Sequence, residues 1–433
     1  MIGEVRFVEA QSRAGFRRLW LSTGSGNLAD GILLAGLPVM ATTVTTSPSL
    51  VAGVQVAFMC AIAVAALPSG VLTDRHDHRN LLVWSNVLRV LGLGAVLAAV
   101  VLGDWRLGAI YAAALLAGST EMVADTTAEV AVPALVPRTG LAAAHSRLVG
   151  TQLVMNDGVG APIGGWIAAG SMGAGMAVPA VLYGVAAAIV RPLRLPAVDR
   201  PPRRPARTEV VEGFAALRRD PLLLRMGTAS MLMNVANTAF FAVAVLLVIG
   251  PMALPRSAYG AVLLAVAVGG VVGSGLADRI VDTIGVRRVL QVSPLVLGVA
   301  YGLIGLAADT VVTVVSLAVL GASGIVWNIS SRVIRQQRVP APLLGRVSAS
   351  MKMLALAAAP VGGVLGGVVA DLAGVRWVGA LALSFGVAAA VVLWRVDPDM
   401  QPREDQPSEP ALPTASLRSV PVEPPWHPLP PIR

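Results

Sequence analysis

Gly70–Asn80 reads GVLTDRHDHRN, a short polar stretch between two long apolar runs. Val51–Leu67 precedes it without a charged residue, and Leu81–Leu102 follows it with Arg89 as its one charge. Two helices that leave a bilayer and return within about ten residues must lie antiparallel and in contact. We expect Gly70 to let these helices approach closely, and the charged side chains of the turn to stay in water or pair with neighbouring helix ends.

The composition indicates a membrane protein. Of the 433 residues, 55% are hydrophobic and only 13% are charged, whereas a soluble domain has roughly 25% charged residues. At about 20 residues for each apolar span, the length accommodates about twelve spans and leaves no room for a large soluble domain. The sequence therefore predicts an all-α integral membrane protein with 12 transmembrane helices.

Apolar runs separated by polar turns define these spans. We place them at residues 19–44, 50–70, 80–102, 107–132, 146–170, 175–193, 222–250, 257–277, 287–307, 311–334, 343–370 and 376–395. When the connections are assigned alternately to two sides, one side holds only Arg106, Arg256 and Arg376, and the other holds nearly all remaining arginines. The positive-inside rule then places both termini in the cytoplasm of a multi-pass protein of the cell membrane.

Two polar segments interrupt the pattern. We interpret residues 194–221, rich in Pro and Arg, as a solvated cytoplasmic linker, with contact to inner-leaflet lipids as the alternative. Residues 397–433 are Pro-rich and cannot bury a core, so we expect a disordered cytoplasmic tail, with docking of a proline-reading domain as the alternative. The remaining domains are two six-helix bundles, residues 1–193 and 222–396.

Several classes of function are disfavoured. The net charge of +9 comes from arginines in the breaks between apolar runs, which favours a lipid bilayer as the partner over nucleic acid. Cys60 is the only cysteine, so an intrachain disulfide and a Cys/His zinc site are excluded. His76 and His78 flank Asp77, but in a solvated turn we do not expect them to hold metal. No phosphate-binding GxxxxGK[ST] loop occurs. We expect no cofactor, no enzymatic activity and a monomer.

The two halves repeat in sequence. Short motifs recur in the same order at separations near 200 residues, which is the signature of an internal duplication. The pairs are Leu72–Arg75 with Leu276–Arg279, Val136–Pro137 with Val339–Pro340, Pro162–Gly165 with Pro360–Gly363, and Asn27 and Asp30 with Asn234 and Asn237. Because each half has an even number of spans, the repeats have parallel topology about an axis along the membrane normal.

The chain resembles the major facilitator superfamily. The residues that carry the resemblance are Gly70, Leu72, Asp74, Arg75 and Arg79 in the turn between spans 2 and 3, its weaker copy before span 9 and the Gly/Pro-rich span 5. Further motifs resemble bacterial exporters related to the enterobactin exporter and to macrolide efflux pumps: Asn27–Gly31, Glu121–Asp125, Pro133–Pro137 and Gly345–Val347.

This resemblance implies two pseudo-symmetric six-helix bundles that transport a solute by alternating access. It also implies a cytoplasmic gate in which the turn exchanges charge contacts with the end of span 4. We assign to this gate Gly70, Asp74, Arg75, Arg79, Glu129, Asp278 and Arg279.

Asp30 is the first candidate for proton coupling. At 1.5 Å per residue it lies about 15 Å into span 1, near the midplane. A carboxylate there is costly unless it faces a wet cavity, finds a partner or is protonated. A group that can be protonated in the membrane is what proton coupling requires. The alternative is an acid that only fixes helix packing.

Span 4 presents further acids. Glu121, Asp125 and Glu129 follow one another at i, i+4 and i+8 on one helix stripe. We expect Arg75, Arg79 and Arg138, near the cytoplasmic end of the span, to compensate them. Glu121 and Asp125 join Asp30 as proton-coupling candidates. We expect the charges of Arg89 and Lys352 to snorkel to the interface.

The substrate cavity is predicted from amides and one indole. The candidates are Asn27, Asn156, Asp157, Asn234, Asn237, Trp327 and Asn328. A stacking ring and amide dipoles suit a neutral or amphipathic ligand, although asparagines in membranes also serve as interhelical hydrogen bonds. The positions that correspond to the span 4 acids are Gly324, Asn328 and Arg332. We therefore expect the N-terminal half to handle protons and the C-terminal half to shape the cavity.

The leading hypothesis is a secondary transporter that exports an amphipathic small molecule, such as a drug, an antibiotic or a siderophore-like product, in exchange for protons. Proton-coupled uptake of a solute by the same fold is the alternative. A membrane enzyme or a non-transporting sensor is less favoured, because no cluster of His, Cys or Ser suitable for chemistry occurs near an interface.

Overall fold

The computed structural model describes residues 2–102, 106–193 and 206–394, which are helical with short turns and contain no strand. The N-terminal helices are α1 (Ile2–Ala41), α2 (Pro48–Arg75), α3 (His78–Leu102), α4 (Arg106–Ala131), α5 (Leu141–Leu153), α6 (Ala161–Gly170) and α7 (Met172–Val190). The C-terminal helices are α8 (Ala206–Arg219), α9 (Pro221–Ile249), α10 (Ala258–Ile284), α11 (Val286–Ala307), α12 (Thr310–Arg338), α13 (Ala341–Ala373) and α14 (Trp377–Trp394).

Ten of these helices are long and apolar enough to cross a membrane, namely α2, α3, α4, α7 and α9 to α14. The other two predicted spans coincide with α1 and with a run in which a π-helical segment, Val154–Gly160, joins α5 to α6. Both contain polar residues at membrane depth, Asn27 and Asp30 in α1 and Asn156 and Asp157 in the π-helical segment. The all-α membrane fold of the prediction is confirmed, with ten of the twelve predicted spans meeting the length and hydropathy of a membrane helix in the described residues.

Side-chain caps and glycines set the helix ends. Asp220 accepts hydrogen bonds from the amides of Leu222 and Leu223, so that α9 begins at the next residue. Asp309 caps α12 in the same way. The amides of a helix's first turn lack intrahelical acceptors, and a carboxylate at this position accepts their hydrogen bonds. Its negative charge also interacts favourably with the positive end of the helix dipole. Gly285, the residue before α11, has φ +80°, a backbone conformation that residues other than glycine rarely adopt.

Glycines bring helices within each half into backbone contact, as span 5 led us to expect. A Cβ at Gly160 or Gly164 would collide with α1 at the carbonyl oxygens of Leu28 and Ile32 respectively. In the C-terminal half, Gly362 and Gly366 of α13 meet the carbonyl oxygens of two residues of α9 in the same manner, and these are Val235 and Ala239. The packing of α6 on α1 is thus repeated by α13 on α9.

This packing corrects the register of the sequence repeat. The motif match paired Gly164 with Gly362, but the carbonyl contacts pair Gly164 with Gly366, one helical turn later. A Gly-Gly pair occurs at both places, so the sequence could not distinguish them. The match of Leu72–Arg75 with Leu276–Arg279 is also inexact in the structure. Arg75 is the last residue of α2, whereas Asp278 and Arg279 lie inside α10.

The two halves touch near the ends of the helices that lie away from the Asp74–Arg79 turn. There α2 packs on α13, where a Cβ at Gly367 would lie 2.9 Å from that of Ala52. On the other flank α6 packs on α10, and a Cβ at Gly165 would lie 2.7 Å from the amide nitrogen of Gly260. We call this the closed end, and the end with the Asp74–Arg79 turn the open end.

Polar contacts reinforce the closed end. Arg256 Nε donates to Thr42 Oγ1 at 3.1 Å, and the amide of Ser49 donates to Asp371 Oδ2 at 3.2 Å. Each bond joins the N-terminal half to the C-terminal half. At the open end, by contrast, a Cβ at Gly70 would have nothing within 4 Å. The close helix approach expected at Gly70 is therefore absent from this conformation.

Part of the predicted linker is folded. Helix α8 packs on α13, with Leu217 buried and Gly213 against Arg346 and Ser350. Arg346 also forms an ion pair with Glu212 of α8. The interpretation as a wholly solvated tether is therefore wrong for residues 206–219. Residues 194–205 and the Pro-rich tail, residues 397–433, lie outside the described part of the chain.

Candidate functional site

The interior of the N-terminal half contains a buried ion pair. Asp30 of α1 is 2% exposed and its Oδ2 lies 3.4 Å from Nη1 of Arg89, which is also 2% exposed. Tyr183 of α7 donates its hydroxyl to Asp30 Oδ1 at 2.6 Å. One of the three conditions for an acid within a span, a partner of opposite charge, is thus met, and the hydrogen bond from Tyr183 adds to it. Removing either charge leaves the other buried and uncompensated.

Arg89 is the residue that the sequence reasoning missed. Its guanidinium does not snorkel: Nε donates to Thr120 Oγ1 at 2.7 Å, and Cζ lies 4.6 Å from the centre of the Tyr183 ring. Nη2 is buried without a hydrogen-bond partner among the described residues. One signal was available, because a lone acid in span 1 and a lone arginine in span 3 could each satisfy the other's need for an opposite charge.

The three acids of α4 lie at different depths. Glu121 is 9% exposed, and its Oε2 is buried with no partner in the described part of the chain. Asp125, half-buried, accepts a hydrogen bond from Gln152 Nε2 of α5. Glu129 is exposed at the open end. Glu121 and Asp125 lie close enough to Arg89 for their charges to interact with it. The proton-coupling candidates therefore share one interior.

Within the described residues, Arg79 does not make the contact with α4 that the gate hypothesis predicts. Arg79 Nε donates to the carbonyl of Arg191 at the end of α7, at 2.6 Å, and not to an acid of α4. Asp74, Arg75, Asp278 and Arg279 are exposed at the open end. The side chain of Arg138 lies outside the described residues. His78 is buried and bonds the carbonyl of Thr73, so the turn is less solvated than expected.

The C-terminal half contains a cavity of about 520 Å³, a volume typical of small-molecule sites. Four of the predicted cavity residues line it: Asn234, Asn237, Trp327 and Asn328. The other three do not. Asn27 points into the N-terminal half, where it donates to the carbonyl of Thr23. Asn156 and Asp157 belong to the π-helical segment.

That π-helical segment connects the ion pair to the interface between the halves. The backbone of Asn156 meets Gly31, the neighbour of Asp30, so closely that a Cβ at Gly31 would collide with it. Two residues later, a Cβ at Gly158 would lie 3.9 Å from that of Ala267 in α10. Extra-residue turns of this kind are often found at functional sites in helices. The π-helical segment therefore lies between the neighbour of Asp30 and the opposite half.

The two halves fill equivalent positions differently. The carbonyl contacts of α1 and α9 make Asp30 equivalent to Asn237. The match of Val136–Pro137 with Val339–Pro340 pairs Glu121 with Gly324 and Asp125 with Asn328. All three C-terminal counterparts line the cavity. At these three positions the N-terminal half has acids, and the C-terminal half has amides or glycine at the cavity wall. Proton handling by the first half stays a prediction.

Comparison with known proteins gives a family and relatives. The family model described as Major Facilitator Superfamily matches residues 19–355 and 233–430. Enterobactin exporter EntS of Shigella boydii serotype 4 (strain Sb227) is 26% identical over 351 residues, which are 78% of this chain and 81% of that protein. Among solved structures, the nucleoside transporter NupG has a TM-score of 0.69 at 14% identity, covering 88% of this chain and 100% of its own. A D-xylose-proton symporter has a TM-score of 0.67 at 14% identity, covering 88% and 98%.

Proposed function

The chain belongs to the Major Facilitator Superfamily and is a membrane transporter, and we propose that it exports an amphipathic small molecule in exchange for protons. The observation that carries the proposal is the buried Asp30–Arg89 ion pair, which shares its interior with Glu121. Such a pair is costly to build and weak as a source of stability. A function that requires a protonatable acid at membrane depth accounts for it.

Protonation acts on the pair directly. A proton on Asp30 removes the negative charge that compensates Arg89, and the unpaired guanidinium then favours a rearranged interior in which Glu121 or Asp125 becomes its partner. Because Gly31 touches the π-helical segment and that segment touches α10, the rearrangement alters the contact between halves. A proton thereby shifts the equilibrium between two conformations by its different affinity for each.

The orientation follows from the arginines. If the arginine-rich open end faces the cytoplasm, as the positive-inside rule requires, this conformation is inward-facing. Both termini are then cytoplasmic, the cavity of the C-terminal half is reached from the cytoplasm, and Thr42, Ser49, Arg256 and Asp371 close the outer side. We place the protein in the inner membrane of a bacterium as a monomer, with residues 1–193 and 222–396 as the two moving bundles.

Export is favoured over uptake by the relative named as an enterobactin exporter. Uptake in symport with protons remains the second candidate, because the same ion pair serves either direction and a D-xylose-proton symporter shares the fold. The gate assigned to Gly70, Asp74, Arg75, Arg79, Glu129, Asp278 and Arg279 then belongs to the outward-facing conformation. In that conformation the open end closes.

The experiment is transport into inside-out vesicles with and without an imposed proton gradient. The probes are a macrolide, a catecholate and ethidium. We expect gradient-driven accumulation with wild type, and its loss in Asp30→Asn. Because that variant leaves Arg89 without its ion-pair partner, the double variant Asp30→Asn/Arg89→Leu is the folding control. It should insert normally and exchange probe in counterflow, yet remain insensitive to the gradient.

Two outcomes would contradict the proposal. Undiminished gradient-driven accumulation in Asp30→Asn removes Asp30 from coupling. Accumulation of every probe in right-side-out vesicles, and of none in inside-out vesicles, reverses the direction to uptake.

A further inference from the structure

The cavity of the C-terminal half has an unbalanced charge. Its lining includes two cations, Arg335 of α12 and Lys352 of α13. Among the lining residues, all from the described part of the chain, there is no Asp or Glu. Lys352 lies within a predicted span, where charged groups are normally paired or functional, and Arg335 lies one residue past the end of another. Two cations on a cavity wall without a lining acid therefore point to a negatively charged ligand.

Arg335 has hydrogen-bonding capacity to spare. Its Nε is buried without a hydrogen-bond partner in the described residues. Its Nη1 approaches the thioether sulfur of Met351 at 3.6 Å, and a thioether is only a weak acceptor. A guanidinium presents several N–H donors in a planar fork that matches a carboxylate, sulfonate or phosphate. The side chain thus lies at the cavity wall with Nε unpaired and Nη1 on a weak acceptor, within the described residues.

Lys352 complements this arrangement. It is exposed to the cleft and forms no ion pair with any residue that the structure describes. An anion in the cavity would therefore provide Lys352 with a closer partner than the protein does.

The rest of the lining suits an aromatic body. Trp327 and Tyr301 are 5% and 4% exposed, and they line the cavity with Phe241. The parts of these rings that reach the cavity are apolar and rigid, as an aromatic ligand requires. Asn234 and Asn237 add amide donors and acceptors on the facing helix α9. Rings on one part of the wall and cations on another recognise a molecule that is apolar at one end and charged at the other.

We propose that this cavity binds an amphipathic organic anion, with its acidic group between Arg335 and Lys352 and its aromatic part against Trp327 and Tyr301. The inference rests on the proposed function for the cavity's role as the transport site and adds the sign of the substrate's charge. A neutral ligand, which the sequence left open, binds more weakly because it leaves both cations without a counter-charge.

The test is a pair of dyes with one body. 8-Anilino-1-naphthalenesulfonate and N-phenyl-1-naphthylamine share their rings and differ in the sulfonate. The full chain is placed in nanodiscs of zwitterionic phosphatidylcholine, and the binding of each dye to it is followed by fluorescence. The signal of empty nanodiscs is subtracted. We expect wild type to bind the sulfonate at least about tenfold more tightly than the amine, which corresponds to about 1.4 kcal/mol.

Variants locate the effect. Arg335→Gln and Lys352→Gln should each weaken the sulfonate about tenfold and leave the neutral dye within about twofold. Arg335→Lys should recover part of the loss, which shows that the fold is intact. The matched control is Arg288→Gln, because Arg288 is exposed and does not line the cavity. Its affinities for both dyes should equal those of wild type.

Three results overturn the inference: no preference for the sulfonate in wild type, equal weakening of both dyes in the cavity variants, or weakening by Arg288→Gln as large as theirs. Because binding is measured without a gradient, its outcome is independent of proton coupling. Asp30→Asn/Arg89→Leu should retain the sulfonate preference. If that preference holds while wild type shows no gradient-driven transport, the proposed function fails and the anion site stands.

Discussion

Replacing Arg89 by leucine tests whether the buried pair is a coupled unit. Helices α3 and α11 are equivalent in the two halves. When their first residues, His78 and Val286, are aligned, Leu297 occupies the position of Arg89. Leu297 is buried, as Arg89 is. Arg89→Leu therefore introduces the residue that the other half already uses. On Asp30 the matching change is Asn, because Asn237 is its counterpart.

The magnitudes follow from the contacts that are lost. Arg89→Leu removes the 3.4 Å ion pair, the 2.7 Å bond to Thr120 and the contact with the Tyr183 ring. Breaking a buried pair from one side costs about 3 to 5 kcal/mol, most of it from the charge left behind. Asp30→Asn strands the guanidinium and should cost a similar amount. The double variant contains neither charge. We therefore expect its loss of unfolding free energy to be about 3 kcal/mol smaller than the sum of the losses in the two single variants.

The assay is a double-mutant cycle of unfolding free energies, measured by denaturant titration in bicelles. The cycle compares wild type, Asp30→Asn, Arg89→Leu and the double variant. A coupling energy below about 0.5 kcal/mol would refute the reasoning, because two groups that add independently are not a pair. So would an Arg89→Leu variant that is as stable as wild type, since the arginine would then be reaching water in solution.

Three further predictions concern packing, the linker helix and orientation. Gly164→Ala should destabilise the protein by about 1 to 3 kcal/mol, because its Cβ meets a backbone carbonyl of α1, whereas Gly170→Ala, whose Cβ meets nothing within 4 Å, should be neutral in thermal unfolding. Arg346→Ala should cost less than about 1 kcal/mol and the loss should shrink in high salt, because its ion pair with α8 is about one third exposed. In a Cys60→Ser background, Glu129→Cys should react with a membrane-impermeant maleimide in inside-out vesicles only. Labelling from the outer face would invert the assigned topology.

The fold could be predicted from the sequence because the length of each span and the placement of charges depend only on the order of residues along the chain. About 20 apolar residues and an arginine-rich turn determine where a helix crosses and which way it runs, and neither depends on which helices touch. Register between the halves is different in kind. Pro162–Gly165 and Pro360–Gly363 match as letters, yet the carbonyls of α1 and α9 show that the equivalent glycines are one turn apart. Only packing distinguishes two Gly-Gly pairs on the same helix.

The same limit applies to the site. Asp30 could be selected from the sequence because a carboxylate in an apolar run is costly whatever surrounds it. Arg89 was dismissed because a long cation can reach the interface in a single helix. Whether it does so depends on α1, α4 and α7 surrounding it, and this is a tertiary property. The folding of residues 206–219 was missed for the same reason, since α8 is a polar helix whose stability comes from packing on α13.

The asymmetry of the two halves links coupling to recognition. A duplicated fold begins with equivalent interiors, yet here one interior holds Asp30, Glu121 and Asp125 while the other has Asn237, Gly324 and Asn328 around a cavity. If both halves carried acids, an anionic ligand would be repelled wherever it bound. If neither did, a proton would have no site at membrane depth. On the proposed function, the proton is handled by the acids of one half and the anion by Arg335 and Lys352 of the other, so substrate and proton do not share a residue.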